Sequence, residues 1–143
     1  MYKKILIAYD GSDGSKIALV NAVELAKQIS AQLKAIWIKS KLPHYPETVS
    51  EVSEEQAAAD SFLEGLKKDL GEYEQSFGIK IDFYSIAGNP SKTIVSYAKE
   101  NNFDLIVLGN EGHSSLWGAS LGHTADRVSE YAHCSVLIVR EKK

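Results

Sequence analysis

The chain has 143 residues, 44% of them hydrophobic, which suits one compact domain over residues 1–143 that buries about 68 to 70% of its unfolded surface. Its 16 basic and 19 acidic residues leave a net charge of −3, with no lysine or arginine cluster of the kind that neutralises a nucleic-acid backbone, so nucleic acid is excluded as an expected partner. The apolar run behind Met1-Tyr2-Lys3-Lys4 is too short for a signal sequence or a membrane span, and the lone Cys134 calls for no oxidising compartment, so a cytoplasmic protein without a membrane partner is expected.

In chain order, Ile5 to Tyr9 is an apolar run of the kind that forms a strand covered on both faces, and Asp10-Gly11-Ser12 ends it. Leu19, Ala22, Val23, Ala26 and Ile29 recur at helical spacing. Leu33 to Ile38 reads as a second covered strand. Lys39 to Val52, with Pro43, His44 and Pro46, has neither period and is expected to be a surface loop that covers the site as a lid. Ala59, Leu63, Leu66, Leu70, Tyr73 and Phe77 then follow at steps of three and four, and Gly78 closes this helix where a left-handed residue is wanted.

Ile79 to Ile86 alternates Ile79, Ile81 and Phe83 against Lys80, Asp82 and Tyr84, the pattern of an edge strand with one wetter face. Asn89-Pro90 opens a third helix, with asparagine as cap and proline where its missing N–H costs nothing. Leu105 to Leu108 and Val136 to Val139 again read as covered strands, and Leu121, Ala125, Val128 and Ala132 stripe a helix between them. Strand and helix alternate throughout, so the fold class is α/β: a five-stranded parallel sheet with helices on both faces. Ligands of such sheets sit beyond the carboxyl ends of the strands, where the strand order reverses.

Asp10 leaves the first strand at that edge. A carboxylate there accepts hydrogen bonds from a ribose or helps hold a magnesium ion, whereas the plainer alternative is that it caps the first helix. Leu108-Gly109-Asn110-Glu111-Gly112 follows the fourth strand, and Gly122-His123-Thr124 opens the fourth helix. Glycine amides and a helix amino terminus together form a cradle for anions, and a triphosphate fits this description better than a merely flexible loop does. There is no Gly-Lys-Ser/Thr and no dinucleotide glycine fingerprint, which disfavours motor-type hydrolysis and hydride transfer. The four histidines at 44, 113, 123 and 133 lack metal-site spacing, and no nucleophile and base stand at recognisable positions.

From Lys3-Lys4-Ile5-Leu6-Ile7-Ala8-Tyr9-Asp10-Gly11-Ser12 to Cys134-Ser135-Val136-Leu137-Ile138-Val139 the chain resembles the ATP-binding branch of the universal stress protein family. Gly109, Gly112 and Gly122 match its pattern of glycine, two residues, glycine, nine residues, glycine. The resemblance implies a Rossmann-like fold that binds ATP, or ADP or AMP, with magnesium accompanying the nucleotide near Asp10. It implies a stress-response regulator or sensor with little or slow hydrolysis, a homodimer through Val136 to Val139, and a further protein partner.

By position, the resemblance places Ala8, Asp10 and Ile38 around the adenosine and Leu108 and Gly109 behind the ribose. It places Gly112, His113, Gly122, His123 and Thr124 at the phosphates. His123 stands where ATP-binding members have serine or threonine, with Thr124 one place further on. That departure favours the alternative of a nucleotide-free dimeric scaffold, while the retained glycines favour ATP.

Overall fold

The computed structural model describes residues 1–40, 49–110 and 123–141. In these, strands and helices alternate as β1 (Lys4–Ala8), α1 (Asp13–Ile29), β2 (Gln32–Ser40), α2 (Val49–Phe77), β3 (Ile81–Gly88), α3 (Pro90–Glu100), β4 (Leu105–Gly109), α4 (His123–Tyr131) and β5 (Ser135–Val139). The five strands form one sheet in the order β3-β2-β1-β4-β5, and every neighbouring pair is parallel. The chain steps from β1 outward to β2 and β3, then returns across the sheet to β4 and β5. The order therefore reverses between β1 and β4.

Alternation of side chains along the strands divides the core into two layers. Ile5, Ile7, Leu105 and Val107 point to one face, where they pack with Ala18, Leu19, Ala22, Val23 and Ala26 of α1 and Leu66 and Leu70 of α2. Leu6, Ile106 and Leu108 point to the other, against Ile94 and Ala98 of α3 and Ala125 and Val128 of α4. Two helices thus cover each face, as the continuous apolar runs of β1 and β4 require.

Local chemistry sets the helix ends. Ser12 caps α1, its hydroxyl accepting from the Ser15 N–H, and Ser30 ends the helix in the left-handed region at φ 56°. Gly78, at φ +63°, ends α2 as the sequence predicts. The Asn89 side chain accepts from the Lys92 N–H at 3.1 Å, and Pro90 occupies the first turn of α3.

Two expectations need correction. Lys39 and Ser40 continue β2 and Val49 to Val52 begin α2, so the loop expected over Lys39 to Val52 is replaced at both ends by regular structure. Pro43, His44 and Pro46 lie outside the described residues. Residues 52–58 of α2 are exposed; further along, the Phe62 ring lies 5.0 Å from that of Trp37 in β2. The second correction concerns Val136 to Val139. β5 is an edge strand, alternately exposed and half-buried, with Leu137 exposed, rather than a strand covered on both faces. β3 is the other edge, in agreement with its alternating pattern.

Candidate functional site

The reversal of strand order marks the carboxyl ends of β1 and β4 as the place where sheets of this kind hold a ligand. Ile7 is in register with Val107 and Ala8 with Ile36, which brings Ala8, Ile38 and Leu108 to the same end of the sheet and into the same apolar layer. Ala8 and Asp10 are half-buried, and Ile38 and Leu108 are buried. Asp10 does not cap α1. Its Oδ1 accepts the Ser12 N–H at 2.9 Å, and its own N–H faces the Ser15 hydroxyl at 3.4 Å, which folds residues 10 to 12 into a tight turn and leaves the capping to Ser12. Gly11 occupies the left-handed region at φ +81° within this turn, a conformation that a side chain would strain.

The turn rests on α2. Tyr9 is 1% exposed, and its hydroxyl donates to Asp69 Oδ2 at 3.1 Å; a side chain at Gly11 would meet Leu66. Burial first, then the Asp69 hydrogen bond and charge, push the Tyr9 hydroxyl well above its ordinary pKa. Sequence reasoning missed this pair, because a tyrosine at a strand end and an aspartate in a distant helix carry no joint signal.

On the β4 side, Gly109 has a packing reason to be glycine. A Cβ there would stand 2.6 Å from the carbonyl oxygen and 2.7 Å from the carbonyl carbon of Gly14, in the first turn of α1. The next residue, Asn110, donates its N–H to the Val139 carbonyl at 3.0 Å. Its side-chain oxygen is buried and has no hydrogen-bond partner among the described residues. Buried acceptors are normally satisfied, so this atom marks a place for a donor from outside the described chain. Sequence reasoning quoted Asn110 among the glycines without assigning it a role.

His123 and Thr124 form the first turn of α4, the histidine exposed and the threonine half-buried. Gly112, His113 and Gly122 lie outside the described residues, as does Leu121. Among the described residues no group of three histidine, cysteine, aspartate or glutamate side chains could hold a metal ion. None of the described helices is long and apolar enough to cross a membrane.

The family model described as universal stress protein family matches residues 1–140. The chain belongs to the universal stress protein family. A universal stress protein of Methanocaldococcus jannaschii is 35% identical over 150 residues, spanning 100% of this chain and 85% of that protein. The universal stress protein UspA from Lactobacillus plantarum superposes with a TM-score of 0.86 at 28% identity, covering 97% of this chain and 98% of that one. A universal stress protein solved in complex with cAMP gives a TM-score of 0.73 at 25% identity, over 96% of this chain and 97% of that one. The five-stranded parallel sheet of this family member is therefore the fold of its solved relatives.

Proposed function

We propose that this universal stress protein binds an adenine nucleotide, ATP foremost, beyond the carboxyl ends of β1 and β4, and acts as a cytoplasmic sensor whose occupancy a protein partner reads. The observation that carries the reading is the reversal of strand order between β1, which leads into Asp10, and its parallel neighbour β4, which ends at Gly109. The structural relative with bound cAMP adds support, since an adenine nucleotide occupies that protein.

The residues fit such a ligand in kind. Ala8, Ile38 and Leu108 supply an apolar wall for the adenine, and Asp10 supplies an acceptor for ribose hydroxyls or a partner for nucleotide-bound magnesium. The Asn110 oxygen, without a hydrogen-bond partner among the described residues, offers a second acceptor for a hydroxyl. Gly112, His113 and Gly122, with His123 and Thr124 in the first turn of α4, are assigned to the phosphates, where main-chain amides and the helix dipole favour negative charge. We assign no catalytic base among the described residues of this arrangement, and hydrolysis is expected to be slow. We assign the exposed edge strand β5 to a second copy of the chain.

Gly109 favours a second reading, a nucleotide-free dimeric scaffold, because its contact with Gly14 accounts for the glycine without a phosphate. Titration calorimetry separates the two. The nucleotide reading expects one ATP per chain, with affinity lowered about tenfold or more in Asp10→Ala, whose charged acceptor is lost. Equal binding by Asp10→Ala and the native chain would remove Asp10 from the site, and absence of heat with ATP would favour the scaffold.

A further inference from the structure

A cleft of about 380 Å³ opens between α3 and α4, lined among the described residues by Ser91, Lys92, Val95, Ser96, Arg127 and Tyr131. None of these residues is among those assigned to the nucleotide; four belong to α3 and two to α4. Its volume falls in the range of small-molecule sites, which combine an apolar lining with a few polar groups that converge.

Neither of its two cations is in an ion pair among the described residues. There the ion pairs join Lys67 to Glu64 and Lys80 to Asp82, and the cation–π contacts use Lys4 and Lys34. Lys92 and Arg127 take part in neither, although the chain as a whole is acidic with a net charge of −3. α3 has no acidic residue in its first turn and carries Lys92 there, the sign that the helix dipole disfavours. An anion between Lys92 and Arg127 would relieve that mismatch, and a guanidinium is shaped to grip two oxygens of one phosphoryl group.

The hydroxyls and the walls narrow the ligand further. Ser91 is 7% exposed and donates to Asn89 Oδ1 at 3.0 Å, so what it offers the cleft is an acceptor. That suits a phosphate monoester, whose singly protonated form carries one O–H beside its anionic oxygens. Ser96 is exposed and adds a hydroxyl. Val95 is half-buried and Tyr131 is 64% exposed, a large aromatic ring left at the rim of the cleft. Together they provide an apolar wall for a ring attached to the phosphate.

We propose that this cleft is a second ligand site, separate from the one beyond the carboxyl ends of β1 and β4, and that it takes a small phosphate monoester bearing an aromatic or apolar group. Lys92 and Arg127 hold the phosphoryl oxygens, and Val95 and Tyr131 hold the ring.

The test is amide NMR of the full chain titrated with phenyl phosphate, inorganic phosphate and phenol, with and without saturating ATP. Phenyl phosphate is expected to shift the amides of residues 91–96 and 127–131, to bind more tightly than either of its halves, and to weaken as salt is raised. The double variant Lys92→Gln/Arg127→Gln is expected to weaken it about a hundredfold, or tenfold per cation, at an unchanged unfolding midpoint. Arg127→Lys should recover part of the loss. Equal affinity for phenyl phosphate in the double variant, shifts elsewhere in the chain, or displacement of phenyl phosphate from these residues by ATP would each overturn the proposal.

Discussion

Replacing Gly109 by alanine adds one methyl group at a point where two main-chain segments touch. The new carbon would lie 2.6 Å from the Gly14 oxygen and 2.7 Å from its carbonyl carbon, with the Ser15 nitrogen at 3.2 Å. All three are backbone atoms at the start of α1, so no rotamer change can clear them; either α1 or the end of β4 has to move. Overpacking a well-filled interior costs about 1 to 3 kcal/mol, and an obstruction made of main chain belongs at the upper end. At roughly 2 to 4 °C per kcal/mol for a chain near this size, about 3 kcal/mol lowers the unfolding midpoint by about 6 to 12 °C. Gly65 in α2 is the control, since nothing lies within 4 Å of a Cβ there. Gly65→Ala should raise stability by about 0.4 to 1 kcal/mol, because alanine restricts the unfolded chain and suits a helix. Calorimetric unfolding of both variants beside the native chain gives the comparison. If Gly109→Ala unfolds at or above the native midpoint, the close approach of β4 to Gly14 is refuted.

The other predictions concern α2, α3 and the Tyr9 hydroxyl. Burial and Asp69 hold Tyr9 protonated in the folded chain, so the unfolded chain releases this proton first as pH rises. The resulting stability is complete below about pH 10 and declines above it by up to about 1.4 kcal/mol per pH unit. Urea unfolding from about pH 8 to about pH 11, a range that spans the ordinary tyrosine pKa, should show a steeper alkaline decline for the native chain than for Tyr9→Phe; parallel declines would contradict the buried pair. Asn89→Ala removes the cap of α3 and should cost about 1 kcal/mol in the same assay, whereas a change below about 0.3 kcal/mol would count against the cap. Leu66→Ala should cost about 2 to 5 kcal/mol because Leu66 is buried, while Val52→Ala, at an exposed position of the same helix, should stay within about 0.5 kcal/mol. Similar losses at both positions would mean that the start of α2 is packed after all.

What the sequence disclosed depended on whether the signal was local. Asn89-Pro90 and Gly78 mark helix ends through the conformations of single residues, and both ends lie where those residues stand. The stripe from Ala59 to Phe77 marked the packed part of α2, but Val49 to Ser53 form helix without an apolar stripe, so periodicity could not extend the element to its start. The exposure of β5 was hidden for a different reason. Val136 to Val139 is as apolar as β4, and only the order of the strands puts it at an edge. At the site, Asp10 and the glycines near 109 were visible as residue types, and the sheet brings their two strands side by side. The contacts that shape them, Gly109 with Gly14, Gly11 with Leu66 and Tyr9 with Asp69, join residues distant in the chain and leave no pattern in it.

The claim that a nucleotide occupies the edge between β1 and β4 meets its most direct test in thermal unfolding with and without ATP. A ligand that binds only the folded chain adds about 2.7 kcal/mol at one hundred times its dissociation constant, which at roughly 2 to 4 °C per kcal/mol is a rise of about 5 to 11 °C in the midpoint. The account predicts that rise for the native chain and a smaller one for Asp10→Ala. An unfolding midpoint that stays fixed at millimolar ATP would contradict it.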